Sequence, residues 1–307
     1  VIQKFMHTVL YNGVLALPLI VLLILTYLWY TRGRDPKGKS IIIAQYDLPD
    51  DLGPTHVGAI IDKRVSRRDI TAAIIDLAVR GHIRISKIQD VNGTADYLLE
   101  KISSTHSQLR DAFETTLITD LFGFDMTSVK LSDLKETFYA HYVNLQNIVY
   151  RSLEENKFFV KNPHIVRMSF AIAGAIIGGF GFFFLNYVPF WTLAIALSGI
   201  LIIVFGMVMP VRTMKGVIAR EHIMGFKRYL MMAEKDRMEF HNAPNKSPEL
   251  FEKYLPYAIA LMVEKEWARQ FDDIYRQKPA WYSDGSGQAF HASALAMALS
   301  DFHSSAS

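Results

Sequence analysis

The feature that most constrains this chain is the stretch from Met168 to Val211, which carries no charged side chain between Arg167 and Arg212. At the rise of an α-helix it extends about 66 Å, roughly two crossings of a bilayer core. Asn186-Tyr187-Val188-Pro189 lies in its middle and combines a helix-ending residue with a proline suited to open the next helix. The sequence therefore predicts a hairpin of two transmembrane helices, 168–185 and 189–209. The competing reading, a buried hairpin of a soluble protein, is the weaker one.

An earlier block has the same character. Gly13–Tyr30 reads GVLALPLIVLLILTYLWY, about 27 Å as a helix, enough for one further span. Tyr27, Trp29 and Tyr30 stand at its end, where interfacial aromatics belong. A signal peptide would be followed by a small-residue cleavage site, whereas Thr31-Arg32-Gly33-Arg34 follows here. Composition agrees with segregation into blocks, since half the residues are hydrophobic while 21% are charged.

Basic residues flank the spans on one side. Arg32, Arg34, Lys37 and Lys39 follow the first; Lys157, Lys161 and Arg167 precede the second; Arg212, Lys215 and Arg220 follow the third. The positive-inside rule then places 31–167 and 212–307 in the cytoplasm and the N-terminus, 1–12, outside a bacterial inner membrane. The chain opens on Val1 and not on Met, as expected of a piece of a longer protein. No span contains Asp, Glu, Lys, Arg or His, which argues against a proton or ion path. Gly174 and Gly178 form a GxxxG pair, suited to close approach by the neighbouring helix or by a second copy.

Residues 40–165 alternate helix and strand signals. Thr55–Val65 fits a first helix. Ser66 and Asp69 form a capping-box pattern opening a second helix, whose apolar face is Ile70, Ala73, Ile74, Leu77 and Ala78 and whose natural stop is Gly81. His82–Ser86 alternates like a strand, 89–94 holds turn residues, and Tyr97–Ile102 reads as the returning strand. Asn92-Gly93-Thr94 in that turn reads as a turn and not as a glycan site. Helix, helix, strand, strand is the order of a winged helix. Helices over Leu109–Leu121 and Leu131–Asn156 and an apolar strand at Phe158-Phe159-Val160 complete the segment. With the apolar face buried, Thr71, Ala72, Ile75, Asp76 and Val79 point outward. These are not base readers, and Asp76 would repel phosphate, so the face suits a protein partner better than nucleic acid. Arg67 and Arg68 are candidate contacts for a phosphate or a lipid headgroup.

Beyond the third span, Arg212–Met238 is helical by pattern. Ser247-Pro248 opens another helix, Pro256 is expected to interrupt it, and Tyr257–Phe271 resumes it. From Ser283 onward Gly, Ser, Ala and His dominate, predicting a flexible tail, 283–307, with at most a weak helix at Ala292–Leu299. The expected fold class is thus a mainly α membrane protein, with three transmembrane helices, a winged-helix-like α+β domain and cytoplasmic helices over 212–282.

Several short runs together resemble a known family. They are Arg32-Gly33-Arg34-Asp35-Pro36, Thr71–Leu77 with Arg80-Gly81, Arg212-Thr213 with Gly216, Gly225–Leu230, Tyr254–Leu261, Trp267-Ala268 and Trp281-Tyr282. The family is the bacterial predicted membrane proteins of DUF2207, also called YciQ-like, and the similarity covers most of 10–285. The resemblance implies an exported β-rich domain upstream and a Gly-rich tail beyond Ser307. It implies no assigned activity and no catalytic residues. Met262 stands where a glycine is expected after Leu261.

Chemistry is sparse. Cysteine is absent, which removes disulfides, thiolate metal sites and thiol nucleophiles. The ten histidines show no i, i+4 pair, and no phosphate-cradling or nucleophile-elbow motif occurs. Asp50-Asp51 and Asp272-Asp273 read as solvated charges. A net charge of +3 sets up no global field toward nucleic acid. The sequence points to a membrane-anchored adaptor or signalling protein without cofactors, whose partners are the bilayer and a protein or a second copy. A membrane-tethered DNA-binding regulator is the alternative.

Overall fold

The computed structural model describes residues 16–39, 42–48, 52–89, 95–102, 108–123, 125–182, 189–232, 246–284 and 291–305. The chain forms two compact units. One comprises 1–38 with 153–217, the other 39–152 with 218–307.

In the first unit, Leu17–Leu28 forms α1, continued by a wider π-helical turn over Trp29–Gly33. Helices Pro163–Phe182 and Pro189–Val208 follow; in the chain-wide order they are α6 and α7. Asn162 caps α6, its side-chain oxygen accepting from the His164 N–H at 2.9 Å. That cap and Pro163 set the helix start five residues before the apolar run begins. Helix α6 and residues Trp191–Val208 of α7 are long and apolar enough to cross a membrane, with mean hydropathies of 1.7 and 2.4. The third expected span is represented by the shorter apolar run Leu17–Gly33; its first residues, and the turn at Asn186, lie outside the described residues.

Helices α6 and α7 pack along their length, and α1 packs on α7. A side chain on Gly174 would start 2.5 Å from the Gly199 carbonyl oxygen, and one on Gly199 would start 2.8 Å from the Gly178 backbone. Only hydrogen fits there. In lipid, where apolar burial does not drive helices together, such backbone contact supplies van der Waals attraction. Ile172, Ile176, Phe180, Leu193, Ile200 and Val204 point outward.

The second unit is mostly helical with a small mixed sheet. Pro54–Asp62 forms α2 and Arg67–Val79 forms α3. Both reciprocal hydrogen bonds of the Ser66–Asp69 capping box are present, and Gly81 takes the left-handed conformation (φ +82°) that stops α3. β1 (Ile83–Gln89) and β2 (Ala95–Lys101) pair antiparallel with Ile85 opposite Leu99; positions 90–94 of the turn lie outside the described residues. Next come α4 (Ala112–Phe122, capped by Asp111), β3 (Ser128–Lys130) and α5 (Leu131–Glu155). After the hairpin follow α8 (Met214–Met231), α9 (Pro248–Ala260), α10 (Glu264–Arg269), β4 (Tyr282–Ser283) and α11 (Ala292–Ser305). The last residues of α5 and the first of α8 belong to the first unit. The strand order is β3-β2-β1-β4, with β4 parallel to β1.

Several expectations are revised. Pro256 does not break its helix; α9 runs through it and ends at Leu261. A proline inside a helix forfeits one backbone bond, and burial of Phe251, Leu255, Ala258 and Ile259 outweighs that loss. Helix α9 closes with a bond from the Val263 N–H to the Ala258 carbonyl at 2.9 Å, with Met262 left-handed at φ 59°. The expected strand at Phe158-Phe159-Val160 reduces to one bridge between Phe159 and Arg212. The weak helix expected at Ala292–Leu299 in a flexible tail is α11, longer than expected and packed, with Leu295, Leu299 and Phe302 buried. Tyr97 of β2 donates to the Ala298 carbonyl at 3.1 Å and meets the Phe302 ring edge-on at 5.1 Å.

Candidate functional site

The helix expected to present a partner face is enclosed. Thr71, Ala72, Ile75 and Asp76 are buried, and Val79 is half-buried. Helices α2, α9 and α11 and strand β1 all pack on α3. The outward assignment is therefore corrected. The composition of α3 carried the signal, because a helix apolar around its whole circumference belongs inside a fold, and Ile70, Thr71, Ala72, Ala73, Ile74, Ile75, Leu77 and Ala78 leave no polar stripe.

Asp76 is buried because arginines reach it. Its Oδ2 accepts from Arg80 Nε at 2.9 Å and from Arg110 Nη1 at 2.6 Å. Glu114 Oε1 accepts from Arg80 Nη2 at 2.5 Å, and Glu114 Oε2 from the Arg110 N–H at 2.8 Å. Burial pushes the Asp76 carboxyl above the ordinary aspartate range, against the pull of Arg110 and Arg80. Next to this quartet, His56 lies 3.8 Å from Asp111 and edge-on to Phe113, and burial lowers its pKa. Two carboxylates answered by two guanidiniums tie α3, α4 and the segment before α4 together. This arrangement stabilises through pairing, and loss of any one member would strand a buried charge. Sequence reasoning read Asp76 as an exposed repellent because Arg110 lies 34 residues away from it, as Glu114 does from Arg80.

Arg67 is exposed on the first turn of α3. Arg68 is engaged within the fold, bonding Asp62 at 2.7 Å and approaching Asp69 at 3.5 Å. Asp69 is fully buried; its Oδ2 accepts from both the N–H and the Oγ of Ser66 at 2.7 Å. Burial pushes its pKa up to about 6, the Ser66 bonds opposing. Gly174 and Gly178 lie in the α6–α7 contact described above.

The motif runs meet in two places. In the first unit Asp35 receives the Arg212 backbone N–H at 2.8 Å and Arg212 Nη1 at 2.7 Å, with Arg212 buried. Thr213 donates its N–H to the Phe158 carbonyl at 3.0 Å and its hydroxyl to the Lys157 carbonyl. Gly216 sits directly on the Phe158 carbonyl, where any side chain would overlap the oxygen. These contacts clasp the end of α1, the approach to α6 and the exit of α7.

In the second unit the motif aromatics form one cluster. Phe226 meets Tyr254 edge-on at 5.0 Å, Tyr229 meets Trp267 at 6.1 Å, and Trp267 meets Phe271 at 4.6 Å. Glu252 takes the Tyr275 hydroxyl at 2.6 Å and Trp281 Nε1 at 2.8 Å. Burial and this bond to Glu252 push the Tyr275 phenol far up. The described residues contain no group of three or more His, Asp or Glu able to hold a metal ion.

The chain is mainly helical, with two helices long and apolar enough to cross a membrane, a clasp at their basic flanks and a small mixed sheet in a second unit. Residues 41–271 match the family described as "Predicted membrane protein (DUF2207) C-terminal domain", and the chain belongs to that family. No curated protein and no solved structure matches it.

Proposed function

We propose that this chain is a three-span anchor of the bacterial inner membrane, N-terminus outside, and that its winged-helix-like cytoplasmic domain is an adaptor for a protein partner. The carrying observation is where the basic flanks go. The clasp gathers the end of α1, the start of α6 and the end of α7. Arg32, Arg34, Lys37, Lys157, Lys161 and Lys215 thus share one end of an apolar bundle, while 183–188 at the hairpin's turn carry no charge. Such asymmetry sets orientation. The adaptor reading is supported by spans free of ionisable groups and by a buried charge network already satisfied internally. The alternative, a DNA reader, requires an exposed recognition helix, and α3 is buried.

The absence of cysteine allows single-cysteine mapping. Asn186→Cys should react with a membrane-impermeant maleimide on intact spheroplasts, and Ser128→Cys only after lysis. The reverse pattern would overturn the topology. For the adaptor role, a photocrosslinker at exposed Ile274 or Met297 should trap a discrete adduct in native membranes. Its absence at both positions, together with a salt-sensitive gel shift of the full chain on duplex DNA, would favour the alternative.

A further inference from the structure

We propose that the clasped end of the first unit is a binding surface selective for anionic phospholipid headgroups; this rests on the membrane topology just described. Three features carry it.

First, the cations are held in position. The Arg34 guanidinium lies 5.5 Å from the Trp29 ring centre and 5.1 Å from that of Tyr30, and Lys215 Nζ lies 4.3 Å over the Phe158 ring. A cation resting on an aromatic face keeps its charge while losing rotamer freedom, so less ordering is needed when a phosphodiester arrives. Second, the local acid is already used. Asp35 lies in the same run as Arg32 and Arg34, but both its oxygens are engaged by Arg212. The remaining acids of the unit are Glu154 and Glu155, on the last turn of α5. Arg34, Lys161 and Lys215, one from each clasped segment, are exposed. Third, exposed apolar residues lie next to or near the cations in sequence: Tyr30 two residues before Arg32, Val160 beside Lys161, Met214 beside Lys215. A headgroup phosphate with acyl chains attached satisfies both kinds of surface; a free anion satisfies only one. Phosphate diesters suit a guanidinium seated on aromatic rings and a lysine acting as a point charge.

The full chain is reconstituted in nanodiscs of phosphatidylcholine and phosphatidylglycerol in equal parts, and the lipids retained after release are counted by native mass spectrometry. Phosphatidylglycerol should be retained in preference. Arg34→Gln should lower that preference about fivefold, the expectation for one cation near an anionic surface; Lys215→Gln should do the same. Arg34→Lys should keep most of it, and Lys101→Gln in the second unit should leave it unchanged. Equal retention of the two lipids, or Arg34→Gln behaving as the wild type, would overturn the proposal. So would displacement of phosphatidylglycerol by inorganic phosphate, which would mark a plain anion site. Loss of lipid preference with the maleimide pattern intact sinks this inference alone; a reversed maleimide pattern sinks the topology beneath it.

Discussion

Met262 stands where the family resemblance leads one to expect glycine, and it occupies the left-handed position that ends α9, at φ 59°. An L-residue with a side chain there places Cβ against the following carbonyl, at about 1–2 kcal/mol. The Met262 side chain is 60% exposed, so its removal forfeits little packing. Against the gain stands the greater freedom of glycine in the unfolded chain, about 0.4–1 kcal/mol. The net expectation for Met262→Gly is a stabilisation of about 0.5–1 kcal/mol. In a domain of about 200 residues this raises Tm by roughly 1–4 °C. The assay is thermal unfolding of the purified chain in detergent, followed by near-ultraviolet dichroism of the aromatic cluster around Trp267. Met262→Ala is the control: it removes the same side chain, keeps Cβ, and should not stabilise. An unchanged or lower Tm for the glycine variant, or an equal gain for alanine, would refute the argument. Lys63 and Lys157, at φ 55° and 60°, are positions where the same reasoning applies.

Other perturbations test other parts of the fold. Folded Asp69 keeps its proton to about pH 6, against an ordinary value of 3.8. Stability from this group is therefore fully present below the ordinary value and is lost as pH rises through 6. Asp69→Asn retains an acceptor for Ser66 and stays neutral, so its stability should gain on the wild type between about pH 4 and about pH 7, by up to about 3 kcal/mol; a pH-independent difference would contradict this. Asp35→Ala takes the carboxylate away from the buried Arg212 guanidinium and should cost about 3–5 kcal/mol, while the double variant Asp35→Ala/Arg212→Met should recover part of it in urea unfolding. Gly174→Val pushes into the Gly199 carbonyl and should separate α6 from α7, read as a lower Tm in detergent than that of Gly179→Val, whose added side chain meets nothing within 4 Å; equal Tm values for the two variants would contradict this.

Local chemistry was legible in the sequence. Ser66 with Asp69, Ser247 with Pro248, and Gly81 announce helix ends because the bonds concerned span only a few residues. The uncharged run between Arg167 and Arg212 announces two membrane helices by the same directness. Features joining distant residues were hidden. Nothing near Asp76 says that Arg110 will neutralise it, and nothing near Ile85 says that Tyr282 will pair beside it. A helix at 292–299 was legible, but the Ala- and Ser-rich composition hid that it runs on to Ser305 and is packed, with 292, 295, 296, 299 and 302 buried at helical spacing. The site misjudged was the face of α3, and it was misjudged by assuming that a helix shows one side to water.

The second unit is discontinuous, and this has a consequence for synthesis. Its sheet joins Ile85 to Tyr282, its tail helix binds Tyr97 across 201 residues, and Tyr254 bonds Tyr46 across 208. Between the two halves lies the apolar hairpin. While a ribosome works through that hairpin, α2, α3, β1 and β2 already exist without α9, α10 and α11 to cover them. Contacts of such long separation form late and slowly. The nascent first half must therefore wait, with Ile75 and Leu99 uncovered, until α9, α10 and α11 have left the exit tunnel. Closure of the second unit thus comes last in synthesis, and a chain that stops within the hairpin would leave that unit's first half without its cover.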